Sequence, residues 1–225
     1  MRFIKRLLTL LLAVLLLAAG YTVYGGYRMY KEVTDEISVA EKIQEIQSRE
    51  NYTKYEDLTT IYINAVIAGE DSRFRKHGGF DAISTARAVL HNIKAGAPEQ
   101  GGSTITQQLA RNMYFEQDKK LTRKVAEVLV AFEIEKEYDK DEILELYVNT
   151  IYFGSGYYSI YDASMGYFGK TPSQLSSYEA TMLAGIPNAP SVYDLNVNPD
   201  LAEQRRKQVV ECMVEEGYVK NGEIS

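Results

Sequence analysis

The feature that most constrains this chain is its beginning, where Arg2, Lys5 and Arg6 precede a nearly uninterrupted apolar run from Leu7 to Tyr24, closed by Gly25 and Gly26. A bilayer-spanning helix needs about 20 apolar residues, whereas a cleaved signal core is usually ~7–15 long. This run sits nearer the first length, so residues 1–26 are expected to form a cytoplasmic basic tip and a retained transmembrane anchor. The positive-inside rule then puts everything after Gly26 on the outer face of a cytoplasmic membrane. Cleavage near Ala18-Ala19-Gly20 is the alternative.

Only one domain of ordinary size fits in the remainder of a 225-residue chain. Residues 27–57 are polar with scattered apolar positions (Val39, Ile43, Ile46) and are expected to be a stalk or linker, leaving 58–225 as the domain. The net charge of -6 removes nucleic acid from the expected partners. The single cysteine, Cys212, permits neither an intramolecular disulfide nor a Cys/His metal cluster.

Helical punctuation recurs throughout the domain. Asp81 precedes a helix ending at Gly96, Ser103 or Thr104 caps another, Ser176 and Glu179 form a capping box, and Asn198-Pro199 opens a last helix running to Gly217. Period-2 alternation rich in Val, Ile and Thr is scarce, so the fold class is mainly α.

Four stretches carry chemistry. In the first, an apolar helix from Ile61 to Ala68 delivers Glu70 and Asp71 into a loop with Phe74, His77, Gly78 and Gly79. A carboxylate desolvated at such an edge gains basicity suited to general-base work. The structural alternative is that both acids end the helix and pair with Arg73 or Arg75. In the second, Gly101 and Gly102 precede a capped helix start, with Gln107, Gln108 and Arg111 close behind. Exposed N–H groups and these donors suit phosphate and sugar oxygens, although a plain structural cap has the same pattern.

In the third stretch, Lys120, Arg123, Lys124 and Glu127 fall within one helical arc, beside an expected core face of Leu121, Val125, Val128, Leu129 and Phe132. That cationic arc suits a pyrophosphate, and a solvated charged face is the alternative. The fourth carries six tyrosines from Tyr147 to Tyr167 among glycines, suited to sugar stacking, to a membrane interface or to the core.

These blocks, in this order and spacing, resemble the peptidoglycan glycosyltransferases of glycosyltransferase family 51, of the monofunctional biosynthetic type. The family's E-D-x-x-F-x-x-H-x-G is met by Glu70, Asp71, Phe74, His77 and Gly79, and its G-G-S-T-I-T-Q-Q stands unchanged from Gly101 to Gln108. R-K-x-x-E is Arg123, Lys124 and Glu127, while I-L-E-x-Y-x-N is Ile143, Leu144, Glu145, Tyr147 and Asn149. A fifth block runs from Glu179 to Tyr193. Arg111 stands where the family usually has Lys, and Ser159-Ile160-Tyr161-Asp162 replaces a more usual Gly-Ile-Glu-Ala.

The resemblance implies a lysozyme-like α domain with a small membrane-dipping lobe, which polymerises lipid II onto a growing lipid-linked glycan strand and releases undecaprenyl pyrophosphate. By that implication Glu70 is the general base, and Glu127 assists at the pyrophosphate with a divalent cation such as magnesium. Asp71, Phe74, His77, Ser103, Thr104, Gln107, Gln108, Arg111, Lys120, Arg123, Lys124 and Asn149 bind substrate, with no firm metal ligand. Cell-wall synthesis proteins are the implied partners.

Neither S-x-x-K nor K-T-G occurs, so no transpeptidase activity is expected. A glycan-cleaving enzyme of lysozyme type would also use a glutamate, but it needs no cationic pyrophosphate site. A non-catalytic scaffold would not need Glu70 or Glu127.

Overall fold

The computed structural model describes residues 2–96, 101–115 and 120–224, so Asp118 and Lys119, which open the third stretch, lie outside the described residues. The described chain is helical throughout, without a strand: α1 (Arg2–Glu36), α2 (Val39–Gln47), α3 (Thr60–Glu70), α4 (Ala82–Ala95), α5 (Ile105–Tyr114), α6 (Leu121–Glu137), α7 (Lys140–Val148), α8 (Ile160–Phe168), α9 (Ser177–Gly185) and α10 (Pro199–Glu215). The expected mainly α class holds, and so do most helix ends. Asp81 caps α4 through Ile83 N–H and Ser84 N–H, and Gly96 closes it at φ 69°. Thr104, not Ser103, caps α5, and the Ser176/Glu179 box opens α9.

The centre of the core is α3, whose Tyr62, Ile63, Ala65, Val66, Ile67 and Ala68 are all buried. A helix apolar on every side must be covered all round, and here α9 and α10 lie along it. Close approach is set by two glycines: a Cβ on Gly69 would sit 3.3 Å from Val209, and one on Gly185 would sit 3.0 Å from the Arg205 stem.

The helix that begins in the apolar run continues through Gly25-Gly26 to Glu36, and α1 packs along α6. The glycines serve that contact, because a Cβ on Gly25 would lie 2.7 Å from Thr122, and one on Gly26 would collide with Val125 and lie 2.8 Å from the Thr122 carbonyl. Val39, Ile43 and Ile46 of α2 are buried in the same core as α3, which is what their i, i+4, i+7 spacing dictates once a partner is present.

The expected core face of α6 is also displaced. Ala126, Val130, Ala131 and Ile134 are the buried positions, while Leu121 and Phe132 are exposed. This helix has two partners, the core on one side and α1 on the other, so a single apolar arc does not describe it. Glu127 falls on the buried side. α4, by contrast, buries only Ala88 and leaves Ile83, Val89, Leu90 and Ile93 exposed.

Candidate active site

Glu70 is the last residue of α3, and its carboxylate is 7% exposed. Neither Arg73 nor Arg75 pairs with it: Arg73 holds Asp81 at 2.8 Å and Arg75 holds Asp141 at 2.7 Å. The Gln108 amide donates to Glu70 Oε2 at 3.0 Å, and the Tyr147 hydroxyl donates to Gln108 Oε1 at 3.3 Å, so the tyrosine fixes which way that amide faces. Glu70 Oε1 has no hydrogen bond among the described residues. The nearest cation to it is the Arg205 guanidinium, 3.9 Å away. Burial pushes the Glu70 carboxyl above its ordinary value, opposed by Gln108, Arg205 and Arg111, and reinforced by Asp71.

The neighbouring acid has another task. Asp71 accepts from His77 Nε2 at 2.9 and 3.0 Å, which puts the imidazole proton on Nε2, and from Ile105 N–H at 3.0 Å. It therefore ties the loop after α3 to the first turn of α5. The Thr104 hydroxyl adds a second tie, donating to the Gly79 carbonyl at 2.9 Å while accepting from Gln107 N–H at 3.1 Å. Gly102 brings the α5 entry against α4, since a Cβ there would stand 3.2 Å from Thr85 Cα.

On α6 the structure brings Arg123, Lys124 and Glu127 together. Glu127, 2% exposed, accepts a hydrogen bond from Lys124 at 3.0 Å on one oxygen, while the other is ion-paired with Arg123 Nε at 3.0 Å without hydrogen-bond geometry. Lys124 also donates to Ser103 Oγ at 2.7 Å, which joins the arc to the α5 entry. Burial lowers the Lys124 pKa, against the pull of Glu127. Lys120 stands exposed at the start of α6.

A cavity of about 380 Å³ opens over Glu70. Its walls include Ser103, Thr104, Gln108 and Arg111 from the α5 side, and Asn188 and Arg205 from the opposite side. A buried carboxylate with one oxygen lacking a hydrogen bond thus lies at the wall of a polar cavity flanked by arginines. The transglycosylase family profile matches residues 37–214.

The chain belongs to the transglycosylase family. It is similar to penicillin-binding protein 1A of Neisseria flavescens, at 45% identity over 77% of this chain and 22% of that protein. The Neisseria gonorrhoeae protein of the same name is 46% identical over the same shares, and that of Aquifex aeolicus is 45% identical over 75% of this chain and 23% of its own length. The chain thus spans less than a quarter of the length of the curated relatives it matches.

Several residues expected to bind substrate are sealed inside the transglycosylase fold. Phe74 is 0% exposed, with the Lys140 ammonium 4.5 Å over its ring, and Gln107 is likewise fully covered. Asn149, also buried, accepts from Thr53 N–H at 2.8 Å and donates to the Thr53 and Glu145 carbonyls. Asn149 ties segments together, the Gln107 amide is buried without a hydrogen bond among the described residues, and none of the three borders the cavity. His77 is spent on Asp71, and Asp71, though it borders the cavity, is committed to His77 and Ile105. Of the tyrosine cluster, Tyr147 is core, Tyr157 meets Tyr167 edge to face at 5.0 Å, and Tyr158 is half exposed.

Arg205 was not legible as a site residue. Ala202, Arg206, Val209 and Met213 form the buried stripe of α10, and Arg205 sits four residues before Val209 at its edge, so the pattern alone does not single it out from Arg206. Arg87, Ser84 and Asn188 likewise border the transglycosylase cavity without a motif to announce them.

Proposed function

We propose that this transglycosylase is a peptidoglycan glycosyltransferase that polymerises lipid II into a lipid-linked glycan strand. Glu70 Oε1 takes the proton of the acceptor sugar hydroxyl, whose oxygen attacks the donor's anomeric carbon. The new C–O bond forms with inversion as the bond to the pyrophosphate oxygen breaks, and the electron pair leaves with the undecaprenyl pyrophosphate. Arg111, Arg123, Lys124 and Lys120 offset the charge that builds on that leaving group. The observation that carries the reading is the Glu70 carboxylate, buried, raised in basicity and with one oxygen free of any hydrogen bond among the described residues, at the wall of a cavity that Arg111 also lines.

Glu127 suits a cation carried in with the pyrophosphate better than a resident one. Lys124 holds Oε2 by a hydrogen bond, whereas Oε1 is only ion-paired with Arg123 and accepts no hydrogen bond among the described residues, so Oε1 is the oxygen it could offer once a phosphate draws Arg123 away. A magnesium ion would there neutralise developing phosphate charge. The other acidic grouping, Asp71, His77 and Asp81, lies within 4.8 Å, but its oxygens are taken by Ile105 N–H, His77, Arg73, Ser84 and Ile83 N–H.

The apolar α1, the one described helix long and apolar enough to cross a membrane, supports a single-pass anchor with the catalytic residues on the outer face. The exposed Ile83, Val89, Leu90 and Ile93 of α4 support a lobe dipping into the same bilayer. The 225 residues hold no transpeptidase motif, so the reading is confined to glycosyl transfer. Incubating the purified protein with lipid II and separating the products by gel tests it. A ladder of long glycans supports polymerisation, and soluble short sugars would instead identify a glycan-cleaving enzyme.

A further inference from the structure

We propose that Arg205 is a positioning residue that keeps Glu70 ionised inside its buried seat without occupying the oxygen that must take the proton. The inference rests on Glu70 being the base of the proposed transfer. A carboxylate that is 7% exposed can stay charged only if other groups replace the water it has lost. Gln108 supplies a hydrogen bond to Oε2, but a neutral amide replaces only part of that solvation. The Arg205 guanidinium, itself 14% exposed, lies 3.9 Å from Oε1, within Coulombic reach and beyond hydrogen-bond length. Glu70 Oε1 and Arg205 Nε are both buried and lack a hydrogen bond among the described residues, while Arg205 Nη1 is held by the Gln208 side chain at 3.1 Å.

The spacing is built by the backbone. The Arg205 stem crosses Gly185 of α9, where a Cβ would be 3.0 Å from Arg205 Cγ, and Val209 one turn on lies against Gly69 beside Glu70. Two glycines thus bring α10 close enough for its arginine to face the end of α3. The other groups around Glu70 are Asp71 and Tyr62 from its own segment, Arg111 from α5 and Tyr147 from α7. Cys212 and Glu215 of α10, and Glu216 just after it, border the same cavity. Arg111 is the competing cation, and it also lies where substrate phosphate would draw on its charge. Arg205 stands on the opposite wall.

The test compares wild type with Arg205→Met and Arg205→Lys in the full-length protein. Two readouts are taken: the pH profile of kcat on lipid II, and an infrared pH titration of the Glu70 carboxyl, isolated by subtracting the Glu70→Gln spectrum. Loss of the charge should move the infrared midpoint and the acid limb of the rate upward together by about one pH unit or more. Arg205→Lys should keep both near wild type. An infrared shift without a matching move of the rate limb would uphold Arg205 as the group that holds the charge while removing Glu70 from the role of base. An unmoved infrared midpoint, or a lysine variant that shifts as far as methionine, would overturn the inference. A raised KM with an unmoved midpoint would mark Arg205 as a substrate contact instead. Arg205→Gln serves as the neutral variant if methionine prevents folding.

Discussion

The Gln108 amide donates to Glu70 Oε2 at 3.0 Å and so leaves Oε1 as the oxygen that can work. The rest of the site is arranged around that asymmetry. Tyr147 orients the amide, Asp71 fixes the loop, and the cations stand on the cavity wall or behind Ser103.

The seat of Glu70 is costly to the fold when the group is charged. Its folded pKa is raised by burial, so its proton-linked contribution is present below the unfolded pKa and is lost as pH rises through the folded one. Glu70→Gln should therefore raise the melting temperature at neutral pH by about 3–5 °C for each pH unit of displacement. The gain should shrink towards zero as the pH falls to the ordinary carboxylate range near ~4.3. Calorimetry across pH checks this, and a variant less stable than wild type at pH 7 would contradict it.

Lys124 is pushed the other way, its pKa lowered by burial. Turnover should then decline on the alkaline side below the ordinary lysine value of ~10.4, as the ammonium that faces Ser103 and Glu127 discharges. Lys124→Arg cannot deprotonate in that range and should extend the alkaline plateau at a lower maximum. Lys124→Met should lose ~10²-fold at every pH with little change in melting temperature.

Asn149 is expected to act on stability alone. Asn149→Ala leaves Thr53 N–H without its acceptor and should cost about 1–3 kcal/mol in urea unfolding. The KM for lipid II of the folded fraction should stay at the wild-type value; a specific rise in KM would restore Asn149 to the substrate site.

Gly26 reports on how α1 meets α6. Gly26→Leu must drive a side chain into Val125 and the Thr122 carbonyl and should lower stability in detergent by about 1–3 kcal/mol, whereas Gly20→Leu, with nothing within 4 Å, should be neutral. Equal melting temperatures for the two variants would show that α1 does not pack on α6.

What the sequence disclosed and what it hid divide along a physical line. Caps and glycine stops are local, so the ends of α4, α9 and α10 could be read directly from Asp81, Ser176 and Asn198-Pro199. The arc of Arg123, Lys124 and Glu127 also follows from helix geometry alone. Burial depends on partners far along the chain. Phe74, Gln107 and Asn149 look like site residues in a motif, yet they are sealed by elements the local pattern does not contain. Arg205 reaches Glu70 only because Gly69 and Gly185 allow α10 to close on α3, a contact between segments more than a hundred residues apart.

The central claim, that Glu70 is the base and Glu127 acts at the pyrophosphate, is tested most directly by initial polymerisation rates of Glu70→Gln and Glu127→Gln on lipid II across a magnesium series, with folding checked by circular dichroism. Glu70→Gln should lose ~10²–10⁴ in rate while still binding lipid II, with no recovery at high magnesium, and Glu127→Gln should recover in part. A Glu70→Gln rate within about tenfold of wild type, less than the loss of a general base implies, would contradict the account.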